Sequence, residues 1–223
     1  MNDEVLFAEH GAERFASAVA SDLTDLRRAL AHLPNHNAGE RLYNVGSLNS
    51  YLATTGCIGA VASTVLGSAC RPVRALLFDK TAKMNWALGW HQDRTIVVKK
   101  RFETNGFGPW SIKQGMQHVA PPVDLLARMV TLRVHLDDVP FTNAPLLIAP
   151  RSHRYGLVAV GDIEEVVRRC GTRVCIAEAG DIWLYATSIL HASSVAAIPA
   201  RRRVLQIDFA AEALPGQLEW LGV

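Results

Sequence analysis

Cysteine is scarce in this chain: four residues in 223, Cys57, Cys70, Cys170 and Cys175, at spacings that suit neither a disulfide framework nor a paired-cysteine zinc site. Charge of either sign is not in excess, because 23 Lys and Arg stand against 21 Asp and Glu; that balance lacks the electrostatic footprint of a nucleic-acid binder. No run is long and apolar enough for a membrane span. The uncharged stretch from Leu52 to Ala69 is diluted by Gly56, Gly59, Gly67 and several Ser and Thr, and reads better as a closely packed buried helix. The opening Met1-Asn-Asp-Glu-Val is acidic where a secretory signal is basic, so a reducing cytoplasm is expected. Internal repeats, low-complexity tracts and linkers are also missing. With 49% hydrophobic and 20% charged residues, the expectation is one globular domain spanning 1–223.

What is present divides near residue 70. Phe15, Val19, Leu23, Leu26 and Leu30 recur at three- and four-residue steps, which predicts an amphipathic helix over 13–33, ended by Pro34 and the polar turn Asn35-His36-Asn37-Ala38-Gly39. A small-residue helix centred on Ile58 to Leu66 follows. From Pro72 the chain breaks into short extended runs: 73–78, 94–99, 130–136, 146–148, 174–177, 181–185 and 204–209. Helices are expected over 122–129 and 162–169, the second with Asp162 as its N-cap. The pattern predicts a mainly β chain with flanking helices: a jelly roll, or double-stranded β-helix of the cupin-like kind, in which 1–70 buttress a core formed by 71–223.

Residues two apart on an extended segment project from one face, so His91 and Asp93 in Trp90-His-Gln-Asp93 can present a nitrogen and a carboxylate together. With one remote histidine they would complete a two-histidine, one-carboxylate set, which holds one face of Fe(II) and leaves the others open. A His-X-Asp pair is a weak signal, and the chain contains a second copy at His135-Leu-Asp137, where Arg133, His135 and Asp137 share the polar face of a strand. An ion-paired or solvated face is the better reading of that copy, although periodicity does not choose between the two. His118, His153 and His191 are candidates for the third ligand. On the strand at 201–209, Arg203, Leu205, Ile207 and Phe209 form one face and Arg202, Val204, Gln206 and Asp208 the other. Arg202 then points inward, where a guanidinium needs an anion, or else all three arginines are a solvated strand start.

The run Leu77-Phe-Asp-Lys-Thr-Ala-Lys-Met-Asn-Trp-Ala-Leu-Gly-Trp-His-Gln-Asp93 resembles the metal-binding region of the phytanoyl-CoA dioxygenase family, the Fe(II)- and 2-oxoglutarate-dependent oxygenases of that name. The resemblance continues in order through Val134-His-Leu-Asp-Asp-Val139, Asn143-Ala-Pro-Leu146, Pro150-Arg-Ser-His-Arg154, Gly180-Asp181, His191-Ala-Ser-Ser194 and Arg202-Arg-Val-Leu205. It implies that His91, Asp93 and His191 bind the iron, that Arg202 meets the distal carboxylate of 2-oxoglutarate, and that Ser193 assists. It also implies that His135-Leu-Asp137 lies on the following strand and that His153 shapes a turn. Two glycines of the family's turns are replaced, by Ala144 and Arg151, where a left-handed backbone favours glycine. The implied reaction consumes O2 and 2-oxoglutarate, releases succinate and CO2, and hydroxylates an unactivated C–H bond. Related halogenating enzymes lack the carboxylate ligand, so Asp93 favours hydroxylation, with desaturation and ring formation open to the same chemistry.

The expected substrate is a small molecule, amino-acid-like or a natural-product intermediate, and nothing in the sequence speaks for an acyl-CoA. Trp86, Arg94 and Trp110 are candidates to line its pocket, Trp90 and Phe107 lie near the same motif, and the segment 106–115 is a candidate entrance loop. Lys80 and Lys83 are expected to be solvated. Two other readings remain open: a cupin-like isomerase or hydrolase that binds metal without 2-oxoglutarate, and a non-catalytic binding protein. Cys57 and Cys70 are expected to pack as small hydrophobes, and Cys170 and Cys175 suggest no role.

Overall fold

The structure, a computed structural model, describes residues 6–33 and 39–223. The acidic start and the turn at 35–38 lie outside the described residues. The larger sheet carries six antiparallel strands in the order β1 (Ala12–Phe15), β11 (Ile182–Ala186), β8 (Met129–His135), β13 (Arg202–Ala210), β3 (Arg71–Lys80) and β2 (Gly39–Leu42). A four-stranded sheet faces it across a cavity, in the order β10 (Arg173–Cys175), β9 (Leu146–Ile148), β12 (His191–Ser193) and β4 (Leu88–His91). Three more strands, β5 (Ile96–Val98), β7 (Met116–Val119) and β6 (Trp110–Lys113), form a small sheet at one side. The expected jelly roll is thus observed, and its ladders are antiparallel throughout.

Alternation along the long strands decides what each face meets. Leu205, Ile207 and Phe209 of β13 join Leu132 and Val134 of β8 on the outer side, where they pack with α2 (Leu23–Leu30) and α4 (Cys57–Leu66) through Leu26, Leu30, Ile58 and Ala62. Two further helical turns, α1 (Phe7–His10) and α3 (Asn49–Leu52), lie on the N-terminal side of this layer. The small residues of α4 have a steric reason: a Cβ on Gly59 would stand 2.1 Å from the Ala53 carbonyl oxygen, so the corner between α3 and α4 closes only over glycine. Cys70 is buried in this cluster and Cys57 packs against it, as small hydrophobes. Two short helices complete the fold, α5 (Val123–Ala127) and α6 (Ile163–Cys170). Asp162 stands at the N-cap of α6, but its side chain makes no capping hydrogen bond.

The single helix expected over 13–33 is not formed. Ala12–Phe15 pairs with β11 instead, from Ala12 opposite Tyr185 to Phe15 opposite Ile182. Buried Asp181 fixes the departure, accepting from Arg14 Nε and the Ser17 amide, both at 2.8 Å. Ser17 itself has φ 54°, which ends any helical path, and α2 starts at Leu23. The apolar stripe was nevertheless informative, because Phe15 and Val19 reach the same core cluster as Leu23, Leu26 and Leu30.

Both positions where a family glycine is replaced keep the left-handed backbone, at φ 48° for Ala144 and φ 69° for Arg151. A Cβ in that region costs about 1–2 kcal/mol. Ala144→Gly is therefore expected to raise stability by up to about 1 kcal/mol, read as a higher urea midpoint at unchanged slope. A lower midpoint would show that the loop is not strained.

Candidate active site

β4 and β12 are neighbours, and their register places His191 directly opposite His91. The two imidazole rings lie 4.2 Å apart, centroid to centroid, at an angle of 57°. Each Nδ1 faces the carbonyl two residues back, His91 toward Gly89 at 2.8 Å and His191 toward Ile189 at 3.0 Å. A carbonyl can only accept, so each Nδ1 carries a proton, and Nε2 is the nitrogen turned toward a metal. Burial, opposed by the charge of Asp93, lowers the His191 pKa to about 4, so this imidazole is neutral at neutral pH.

Asp93 follows β4 by two residues and is held by Arg74, whose Nη2 donates to its Oδ2 at 3.1 Å. Nε of the same arginine stands 2.6 Å from Asp208 Oδ2, close in charge although off the N–H direction. Thr131 donates to Asp208 at 3.0 Å, and its hydroxyl meets that of Thr187 at 3.0 Å, so the carboxylates rest on a buried polar chain. Burial pushes both carboxyl groups up. At Asp93 the charge of Arg74 and its hydrogen bond overcome it, and the group is held below the usual range; at Asp208 burial wins and the group is raised.

Among the described residues, no three His, Cys, Asp or Glu side chains are already drawn into a coordination sphere. The donor chemistry is in place: two imidazoles with Nε2 available and a carboxylate with a second oxygen, the set that suits Fe(II). Of the other histidines, His118 is buried on β7 with Nδ1 3.4 Å from Thr95 Oγ1, and His153 packs against Gly11 in a turn. His135 lies inside the larger sheet with both ring nitrogens unpartnered. Its expected companion Asp137 does not share its face, because β8 ends at His135 and the chain then turns outward. There Asp137 accepts from Arg203 Nε at 2.9 Å and Nη2 at 2.6 Å.

The three arginines separate in the same way. Arg201 pairs with Asp79 at 2.7 Å and Arg203 with Asp137, while Arg202 enters the cavity of about 400 Å³ between the sheets. Arg202 is 4% exposed and Arg133 8%, and among the described residues neither has a carboxylate partner. Arg202 Nη1 donates to the Ala144 carbonyl, and Arg133 Nη1 donates to Gln206 Oε1 at 2.8 Å. Lys80, directly opposite Arg202 in register, is buried rather than solvated; its Nζ donates to the Trp86 carbonyl at 2.7 Å and to Ser193 Oγ at 3.1 Å. Burial, with Arg202 and Arg133 nearby, lowers its pKa to about 8; burial and Arg133 lower that of Arg202 to about 10.

Trp86 and Arg94 line the cavity, Arg94 Nη2 donating to the Val158 carbonyl at 2.6 Å. Trp110 does not: it packs with Phe102 and Phe107 against a separate apolar cluster, under Arg101. Trp90 packs on the cluster around α6. The expected entrance loop is partly the hairpin β6–β7, which reaches the cavity through Lys113. Sequence reasoning missed Arg41, Arg74, Lys113 and the clamp made by Gln92, whose side chain bridges the Gly156 and Ser188 carbonyls and the Val158 amide. It had Arg133 on the correct face of its strand without a role.

The fold is a cupin-like jelly roll, with two imidazoles and a carboxylate at the wall of its cavity. Residues 12–204 match the sequence model of the phytanoyl-CoA dioxygenase family (PhyH), and the chain belongs to that family of oxygenases. No curated protein matches it in sequence. Among solved structures, EctD from S. alaskensis with 2-oxoglutarate and 5-hydroxyectoine is similar at TM-score 0.67 and 19% identity, over 100% of this chain and 82% of that one. The epimerase SnoN in complex with Fe3+, alpha ketoglutarate and nogalamycin RO follows at TM-score 0.65 and 18% identity, over 95% and 88%. HygX from Streptomyces hygroscopicus with nickel and 2-oxoglutarate gives TM-score 0.61 at 13% identity, over 92% and 84%. At these identities they show a shared fold. No described helix is long and apolar enough to cross a membrane.

The paired and unpaired cations make opposite predictions. Arg74→Met leaves Asp93 and Asp208 buried without their cation and is expected to destabilise the protein by about 3–5 kcal/mol. Arg133→Met removes a buried cation that has no carboxylate, and is expected to leave the urea midpoint unchanged or raise it. Equal losses from both would show that Arg133 has an anionic partner in the protein.

Proposed function

We propose that this protein is an Fe(II)- and 2-oxoglutarate-dependent hydroxylase that inserts oxygen into an unactivated C–H bond of a small molecule. The observation that carries this reading is the juxtaposition of His91 and His191, each with Nε2 available, and a buried Arg202 with no carboxylate of the protein to pair with. His91, Asp93 and His191 would hold Fe(II), which when bound would supply the O2 chemistry of the reaction.

The chain's own residues would do the rest. The Gly89 and Ile189 carbonyls fix the tautomer and tilt of the two imidazoles. Arg74 fixes Asp93 and withdraws part of its charge. Arg202 and Lys80, with Ser193 between Lys80 and His191, form the cationic end that suits the far carboxylate of 2-oxoglutarate. Trp86, lying under Lys80 Nζ at 4.1 Å, helps to wall that end from water. Asp93 at the carboxylate position favours hydroxylation over halogenation; proteins of this fold also include an epimerase, SnoN.

Anaerobic titration of metal-free protein with Fe(II) and then 2-oxoglutarate tests the reading. The visible iron-to-ketoacid charge-transfer band is expected in wild type, absent in His91→Ala, and shifted to much higher 2-oxoglutarate in Arg202→Ala. Bound iron without a band would favour the 2-oxoglutarate-independent alternative.

A pH dependence follows from Lys80. In the free protein it loses its proton near pH 8, and a carboxylate beside it favours the protonated form, so 2-oxoglutarate affinity is expected to fall as pH rises through about 8. Calorimetry in buffers of different ionisation enthalpy should then show proton uptake on binding above that pH. Lys80→Met should abolish the uptake; if it persists, Lys80 is not at the 2-oxoglutarate end.

A further inference from the structure

The chain is almost neutral, yet seven of the twenty residues lining the cavity are Arg or Lys and one, Asp93, is acidic. Arg74 is neutralised by Asp93 and Asp208. Arg202, Lys80 and Arg133 form one group, each within electrostatic reach of another, and that group is the 2-oxoglutarate end of the reading above. Of the other three, Arg94 is tied to the Val158 carbonyl through Nη2, and Arg41 and Lys113 remain at the opposite side, with no function in that reading.

These two are placed together by construction. Gln114, at the tip of the β6–β7 hairpin, accepts from the Arg41 amide at 3.1 Å and donates to the Gly39 carbonyl at 3.3 Å, docking the hairpin on β2 so that Lys113 arrives beside Arg41. Arg41 Nε is buried without a hydrogen-bond partner. Glu40, its sequence neighbour, faces the other side of the sheet, where it borders a hollow with Leu77 and Asp79.

The two groups are separate. Arg41 pairs in register with Leu76, four residues along β3 from Lys80, which is about 13 Å at the rise of a strand. His118 on β7 feels the charges of both Lys113 and Arg41, and neither His118 nor Arg41 feels Arg202 or Lys80. A five-carbon diacid held at Arg202 with its other end toward the histidines does not reach Arg41. Even with both its carboxylates in place, the cavity keeps a surplus of positive charge at the side of Arg41 and Lys113, with the Thr95 hydroxyl alongside. An uncharged or cationic substrate would leave that surplus uncompensated in a half-buried space.

We propose that the substrate is an anion whose carboxylate or phosphate group docks between Arg41 and Lys113, with its apolar body along Leu76 and Leu88 and its reacting carbon toward the two histidines. This deepens, and rests on, the oxygenase reading.

The test uses full-length protein loaded anaerobically with Fe(II) and saturating 2-oxoglutarate, and four probes with one apolar body: hexanoate, hexyl phosphate, hexanol and hexylammonium. Calorimetry and the shift of the charge-transfer band read their binding. At least one of the two anions is expected to bind about tenfold or more tightly than hexanol, with hexylammonium weaker still, and the preference between them tells carboxylate from phosphate. The double variant Arg41→Gln/Lys113→Gln should lose that advantage while 2-oxoglutarate affinity stays within about twofold, and Lys113→Glu, at an exposed position, should weaken anion binding without touching the core. Hexanol binding as well as the anions, binding by neither anion, or anion binding that survives both variants would overturn the proposal. Failure of the oxygenase reading shows earlier and separately, as the absence of the band before any probe is added.

Discussion

Burying positive charge inside a sandwich of two sheets is the constraint around which this molecule is arranged. A guanidinium removed from water without an anion is several kcal/mol less stable than one left exposed, and Arg133 and Arg202 are both in that position. The fold offsets the deficit on the other side of the same strands. β13 presents Leu205, Ile207 and Phe209 to the helices, all fully buried, while Arg202 and Gln206 line the cavity and Asp208 lies behind Arg74. At about 2 kcal/mol for each large apolar side chain buried, one strand's outer face can carry an unpaired cation on its inner one. The helices α2 and α4 are therefore tied to the site without touching it: they supply the stability that the cavity wall uses.

Arg74 shows the other solution to the same problem. It is as deeply placed as Arg202, but Asp208 and Asp93 flank it, and Thr131 and Thr187 extend the hydrogen bonding behind Asp208. On the proposed reading this makes the middle of the cavity electrically quiet and leaves charge at its two ends. One end, Arg202 with Lys80, matches a diacid; the other, Arg41 with Lys113, is left for the substrate.

Much of this was legible in the sequence, for identifiable reasons. Strands such as 130–136 and 204–209 are long enough for two-residue alternation to be read on both faces, and the division of β13 into an apolar and a polar face was correct at every position. The strands β2, β4, β6, β7 and β12 are three or four residues long and were not seen, because segments such as Leu88-Gly-Trp-His91 contain too little alternation to register. The first strand was read as helix because Phe15 and Val19 fit a helical stripe; what displaces it is pairing with β11 and the carboxylate of Asp181, both about 165 residues away. The two His-X-Asp copies could not be told apart by periodicity for the same reason. They differ in what lies across from them: His91 meets His191, whereas the strand at His135 stops and releases Asp137 to Arg203. Arg133 and Arg41 were invisible as site residues because an arginine on a strand is solvated in most contexts, and only the opposite sheet makes these positions interior.

The loop at Ala144 joins the sequence departure to the site. Its left-handed residue is the one whose carbonyl accepts from Arg202, so the backbone conformation that glycine would adopt freely is also the one that anchors the guanidinium. With alanine there, the loop has fewer unfolded alternatives to lose but more strain when folded, and the strain, about 1–2 kcal/mol, outweighs the entropic gain of about 0.4–1 kcal/mol. The strained conformation persists because other contacts over-determine the loop: Asn143 Oδ1 accepts from the Ala200 amide at 3.2 Å, and the Ile198 amide donates to the Thr142 carbonyl at 3.0 Å. The segment leading into β13 is thus stitched to the Ala144 loop just before Arg202 enters the cavity. The carbonyl that accepts from Arg202 is thus held in place by the loop's own contacts, whether or not an anion compensates the buried guanidinium.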